Sequence, residues 1–420
     1  VPTPHPAEPV PLAGPDHKRD PYPLYTELRD RCPIHRVTFP SGVDAWLVTG
    51  YDAAHATLND RRLGKDHRLG NDGWRARASI MPEPQHSLLQ VHLLHQDPPA
   101  HTVLRRLVTD AFTPRAAEAA RPRIQRVADD LVDRLPVDGP VDLVAGFAAH
   151  LPFRALAPAI GLPDGLAAGF RPEWGGVVAP VGPADPRRAY YEGLLHGLQT
   201  YIAEVVAGVR GLPGDGLLTS LVAAHDDGAV TAEQLGSMVF QLLVAGQEPV
   251  TNQLTTALVA LLRRPADLDR LAADPALLPR AVEELLRYDS AFELTTWRFL
   301  AEPDDLHGRP VPAGDSVIVS LCAANRDPRR FDRADDLVLD RSPNPHLAFG
   351  HGIHFCPGAA LARVQLQVAL GTLLARLPGM RPAVSLEELE WIGSVLGRGV
   401  RALPVSAPRR RPAGSGGTAR

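Results

Sequence analysis

Apolar residues recur every three to four positions over residues 102–113, 117–135, 187–210, 232–263, 278–288 and 358–376, the spacing of one buried helical face. Runs of strand length are fewer, chiefly Ala45 to Val48 and Ser316 to Leu321. The pattern predicts a mainly α chain with a small β subdomain. Its longest stretch starts at Thr231, with Gln234 three residues on, where hydroxyl and amide can each satisfy a free N–H of a first turn. A helix from there to about Arg263 spans roughly 48 Å at ~1.5 Å per residue and is expected to form the spine of the core. The stretch 168–188, with Gly175, Gly176, Pro180, Gly182, Pro183 and Pro186, interrupts the helical pattern and is expected to be a loop-like lid. Residues 1–20 and 406–420 lack periodicity and are expected to be a mobile and a disordered tail flanking 21–405, whose division into domains stays open on length alone. No internal repeat is visible.

Composition narrows the function classes. At 45% hydrophobic and 22% charged over 420 residues, the chain can bury a sizeable core, which excludes a disordered or fibrous protein. Its 44 Lys and Arg against 48 Asp and Glu leave no excess positive potential for nonspecific nucleic-acid binding. No uninterrupted apolar stretch approaches about 18 residues, and the start is rich in Pro and charge, so neither a membrane anchor nor an export signal is expected. Three cysteines, Cys32, Cys322 and Cys356, are too few for a disulfide framework and suit a reducing cytoplasm.

Cys356 stands in the run Phe349-Gly350-His351-Gly352-Ile353-His354-Phe355-Cys356-Pro357-Gly358. Two glycines allow a tight loop that can approach a flat ligand closely, and Pro357 suits the first position of a helix. Cys356 is therefore expected at a helix N-terminus, where free amides and the helix dipole favour a thiolate, a strong ligand for iron. Two other readings stay open. A lone cysteine beside a Gly-rich turn is ordinarily a buried core residue, and His351, His354 and Cys356 have spacing suited to zinc, which would want a fourth ligand or a catalytic base. A haem would also need hosts for its two propionates. His101 and Arg105 lie four apart after Asp97-Pro98-Pro99, so they share a helical face and could reach one carboxylate; Arg298 and His354 are further candidates.

The run from Phe349 to Gly358 matches F-G-x-G-x-H-x-C-x-G at every fixed position, and the chain from about Asp20 to Pro404 resembles the bacterial cytochrome P450 family, of the type that tailors natural products. Three further motifs agree in order: Asp97-Pro98-Pro99-Ala100-His101 with Arg105, Glu284-Leu285-Leu286-Arg287, and Ala324-Asn325-Arg326-Asp327-Pro328 with Phe331. The resemblance implies a triangular, mainly helical prism forming a single haem domain, with haem b on Cys356 within the loop 349–358. It implies that Phe349, Gly350 and Gly358 contact that haem, that His101, Arg105, Arg298 and His354 hold its propionates, and that Glu284 and Arg287 form a buried structural pair. It also implies a monomer that takes electrons from a ferredoxin, or similar donor, and its reductase.

The departure lies in the long helix, at Ala245-Gly246-Gln247-Glu248-Pro249-Val250-Thr251. Where the family usually has an acid followed by threonine, Glu248 keeps the acid but Pro249 has no hydroxyl to relay protons. Thr251 is two residues on, about 200° around a helix, and is not expected to substitute. Proline in a helix interior costs about 3 kcal/mol unless the helix is already opened, so a bulge is expected there; a mechanistically silent kink is the alternative. Ala245, Gly246, Glu248 and Pro249 are thus the expected catalytic stretch. Substrate contact is expected from 74–95, the 168–188 stretch, Val244, Phe292, Glu293, Thr295, Thr296, Val395 and Leu396, with Glu293 able to attract a cationic substrate. The expected function is hydroxylation of a natural-product intermediate. Its alternatives are oxidative radical coupling of an aromatic, cyclic-dipeptide or peptide substrate, a non-catalytic haem sensor, and a zinc hydrolase.

Overall fold

Helices form where the periodicity places them, and they end at the residues that break it. The computed structural model describes residues 9–407, apart from 13–14, 79–80, 82–84, 137, 179–180, 182–184 and 215. Helices run over Ala100–Thr109, Pro114–Asp133, Arg188–Val209, Leu278–Tyr288 and Ala359–Arg376. The 359–376 helix packs most extensively on the 114–133 helix, within a helical core that includes Leu131, Leu243, Leu258, Ala369 and Leu373, all almost fully buried.

The expected 32-residue spine is two helices, Ala232–Ala245 and Glu248–Leu262. Thr231 and Gln234 do form the reciprocal cap at its start. The chain leaves the first helix at Gly246, where an added Cβ would lie 2.5 Å from Leu156 Cδ2, and Gln247 caps the second. Pro249 then falls in the first turn of the new helix, whose N–H groups have no intrahelical partner in any case. The interior penalty expected from one continuous helix therefore does not arise.

A six-stranded sheet runs in the order Val10–Pro11, Ile34–Thr38, Asp44–Val48, Ser316–Val319, Arg298–Leu300, Leu63–Gly64. The 44–48 and 316–319 strands pair in parallel, with Trp46 opposite Val317. The 298–300 strand is antiparallel to its neighbours, with Arg298 opposite Val317 on one side and Gly64 opposite Phe299 on the other. Two smaller sheets complete the β content.

Residues 10–12 and 15–20 are not a free tail. Val10 and Pro11 add a strand to the sheet, and Pro15–Arg19 forms a short helix. His17 Nε2 and Lys18 Nζ hold the Glu293 carboxylate at 2.9 and 2.7 Å, and Arg398 binds the carbonyls of Lys18 and Arg19. Charge pairing and backbone bonds, which periodicity does not register, order this segment. Likewise the 168–188 stretch carries a 3₁₀ helix over Pro172–Val178, with Trp174 and Val177 buried in the helical core. Positions 1–8, 13–14, 179–180, 182–184 and 408–420 of the expected tails and lid, and 79–80 and 82–84 of the expected substrate stretch, lie outside the described residues.

Candidate functional site

The Cys356 loop is closed by its own backbone. Gly350 and Gly352 adopt φ of 71° and 74°, the left-handed region that suits glycine, and a Cβ on Gly352 would lie 2.8 Å from Leu58 O. Cys356 N then donates to Phe349 O at 3.0 Å. The following helix starts at Ala359 with Gly358 as its cap, so Pro357 is not its first residue and Cys356 stands ahead of it. Burial pushes the thiol up, opposed by the Gly358 N–H, Arg105 and Arg363. Without a metal, then, the expected preference for thiolate is outweighed by burial; a cation over the sulfur reverses this, since a coordinating thiol is deprotonated outright.

Cys356, Phe349, Gly350, His354, Pro357 and Gly358 line one cavity together with Ala245, Gly246, Pro249 and Val250 from the helix break. Arg298 and His354 lie at its polar end, where His101 stacks edge-on at 4.5 Å from His354. His101 is 3% exposed and Arg298 5%, yet His101 Nε2 and Arg298 Nη1 have no hydrogen-bond partner. Burial lowers the affinity of all three for protons: His354 falls to about 2, with Lys65 and His101 adding repulsion, and Arg298 to about 10. Arg105 Nη1 donates to Phe355 O at 2.6 Å, bracing the cysteine loop. A cavity lined by Cys356, Gly350, Gly358 and the unpartnered donor Arg298 Nη1 fits a haem, one propionate of which would supply the missing acceptor.

The zinc reading fails on geometry. His351 stacks on His55 at 4.0 Å while His354 turns to His101, and among the described residues no group of three or more His, Cys, Asp or Glu is disposed to hold a metal ion.

Behind the loop, Glu284 and Arg287 are fully buried and paired at 2.7 Å. Arg287 donates to the carbonyls of Asn325, Ala334 and Asp336. Glu284 accepts from Val338 N and Arg341 Nε at 2.8 and 2.9 Å, while Asn325 Oδ1 accepts from Leu347 N. One ion pair thereby fixes the 325–347 meander leading into Phe349.

Several expected cavity residues point elsewhere. Glu248 accepts from Asn252 Nδ2 and lies near Gly175 and Gly397, and it does not line the cavity with its neighbour Pro249. The cause is the helix break, which turns the first residue of the new helix into the seam behind it. Val244 packs in the helical core. Glu293, 1% exposed, faces His17, Lys18 and Tyr25, so its charge is spent within the fold and cannot attract a cationic substrate. Val395 lies beside it in a separate cavity, and Leu396 accepts from Glu293 N at 2.8 Å. Phe292, Thr295, Thr296 and Ala245 do line the Cys356 cavity. Met238, Gln241 and Leu242 join them; these lie one helical turn or two before Ala245, a spacing that marked them in the sequence.

Burial raises Glu248 to about 7. An acid whose folded pKa exceeds its unfolded value loses stability as pH rises between the two. Glu248→Gln is therefore expected to raise the melting temperature above pH 7, by a gain of about 1–2 kcal/mol after allowance for partial exposure, and to leave it unchanged near pH 4. A variant equally stabilised at both pH values would contradict this.

Comparison with known proteins agrees with these features. The family model described as Cytochrome P450 matches residues 213–378. The cytochrome P450 monooxygenase PikC of Streptomyces venezuelae is 42% identical over 96% of this chain and 94% of its own. The 6-deoxyerythronolide B hydroxylase of Saccharopolyspora erythraea is 37% identical over 91% and 95%. The structure of CxnD, a cytochrome P450 for C–S bond formation in chuangxinmycin biosynthesis, superposes with a TM-score of 0.89 at 35% identity, covering 97% of this chain and 99% of that one. No described helix is long and apolar enough to cross a membrane. On sequence identity over nearly its whole length and on the fold alike, the chain belongs to the cytochrome P450 family, whose members carry haem b on a cysteine thiolate.

Proposed function

We propose that this P450 hydroxylates an apolar natural-product intermediate. In this reading Cys356 would bind the haem iron, and His101, Arg105, Arg298 and His354 would hold the propionates. Haem b on a thiolate supplies the oxidising power, drawn from dioxygen and electrons delivered singly by a ferredoxin and its reductase. The observation that carries the substrate class is the apolar part of the lining: Leu93, Leu94, Met238, Leu242, Val250 and Phe292 are apolar, and among the described residues no carboxylate joins them. Such a surface gains by burying hydrocarbon and has no partner for a cation. Gln241 Oε1, also in the lining, is buried without a partner and would accept from a substrate hydroxyl, orienting the molecule.

Proton supply distinguishes this site. Pro249 brings no hydroxyl, and that of Thr251 is committed to Ala148 O at 2.9 Å and Gln247 O at 3.2 Å. An ordered water, or a single hydroxyl on an otherwise apolar substrate, must fill the role. Pro249 also sustains a second reading, oxidative coupling, which inserts no oxygen; a C–S bond-forming P450 is among the structural relatives.

The test is turnover of a library of polyketide macrolactones and cyclic dipeptides with ferredoxin and reductase, preceded by a screen for a low-to-high spin shift of the iron. The hydroxylase reading expects macrolactones to give the shift and a product one oxygen heavier. A product with unchanged oxygen count replaces it with coupling, and a haem protein that turns over nothing replaces it with a sensor. Pro249→Thr is expected to lower the peroxide released per electron pair; an unchanged leak and product distribution would leave Pro249 without a role in proton supply.

A further inference from the structure

The polar end of the cavity holds a cation that the motifs do not predict. Lys65 follows the strand Leu63–Gly64, whose register sets Leu63 opposite Leu300 and Gly64 opposite Phe299; the next pair along is Lys65 and Arg298. Two cations directly opposite one another in antiparallel strands repel, and here both are buried, Lys65 at 1% exposed. Lys65 Nζ donates to Trp297 O at 2.7 Å and to Thr296 Oγ1, both uncharged. An ammonium has three donors, so one is unused in a side chain that lines the cavity. Among the described residues no carboxylate pairs with it. Asp97, the nearest acid, accepts from the backbone N–H of Lys65 and Asp66.

Charge at this end does not balance within the protein. With Lys65 protonated, Lys65, Arg298 and Arg105 are positive, His101 and His354 are held neutral, and Asp97 is the one acid acting on Lys65 and Arg298. The excess is two positive charges. A ferric porphyrin on a thiolate is neutral at its centre, so the charge left to match is that of its two propionates.

Resting on the assignment of haem to Cys356, we propose that Lys65 is a cofactor-binding residue whose ammonium holds one haem propionate opposite Arg298. A carboxylate held by both cations would relieve their repulsion. Burial and Arg298 push the Lys65 ammonium well down; an anion at that place restores it.

The test compares the wild-type holoenzyme with Lys65→Gln and Lys65→Arg. Gln keeps hydrogen-bond donors for Thr296 and Trp297 but loses the charge; Arg retains it. Haem transfer to excess apomyoglobin is expected to quicken about tenfold in Lys65→Gln, the loss of one charge-assisted hydrogen bond, with the midpoint potential shifted negative, and Lys65→Arg is expected to restore both. A folded Lys65→Gln holoenzyme with wild-type transfer rate and potential overturns the proposal. Should Lys65→Gln fail to fold, a crystal structure of the wild-type holoenzyme decides: Nζ bonded to a propionate supports it, and Nζ beyond about 4 Å from both overturns it. Wild-type protein that binds no haem at all would instead defeat the Cys356 assignment.

Discussion

Cys356→Ser folds but loses both the thiolate signature in the carbon monoxide difference spectrum of the reduced protein and all turnover. Folding survives because Cys356 holds its loop through the backbone, by the bond from its N–H to Phe349 O, and serine keeps that bond and nearly the same volume. The spectrum does not survive because a serine hydroxyl has neither the charge nor the softness of a thiolate. The size of the effect separates this residue from every other in the cavity: loss of a propionate partner weakens haem binding, whereas loss of the sulfur removes the electron donation on which the chemistry depends. An unchanged spectrum in the serine variant would remove the central assignment.

Arg287→Ala should fail differently, by leaving no foldable holoprotein. It leaves Glu284, at zero exposure, with Arg341 at 2.9 Å as its one remaining ion-pair partner among the described residues and leaves the carbonyls of Asn325, Ala334 and Asp336 without their donor. Breaking a buried pair by removing one partner costs about 3–5 kcal/mol, a large part of the ~5–15 kcal/mol that holds a typical protein folded. Arg287→Lys is expected to rescue little, because one ammonium cannot span three carbonyls and a bidentate carboxylate. Soluble yield, melting temperature and haem content measure it. An Arg287→Ala protein with normal haem content and a melting temperature within a few degrees of wild type would show that the meander is held by other contacts.

What could be read in the sequence follows from where its information is local. The cysteine loop, the cap at Thr231 and the Glu284–Arg287 spacing each lie within ten residues, so their geometry is encoded in the run itself. The helix break could be inferred only as an expected bulge, since Pro249 signals an interruption while Gly246 shows its reason, contact with Leu156, only in three dimensions. The same limit misplaced Glu248, since with the helix broken a helical wheel drawn through 245–251 no longer gives its direction; Val244 lies before the break, on the face of the first helix that packs into the helical core. Glu293 was misread because its partners His17, Lys18 and Tyr25 are more than 260 residues away in sequence. Lys65 was missed for a related cause, as only strand register reveals that it faces Arg298.

The anchoring of the amino-terminal segment extends to the cavity. Glu293, clamped from outside by His17 and Lys18, belongs to the same short stretch as Phe292, Thr295 and Thr296, whose side chains look inward. The first helix is thus a buttress behind one wall of the chamber. Shortening the protein to residue 20, or crowding that helix with a bulky fusion, would alter how tightly a ligand is gripped without touching any atom the ligand meets.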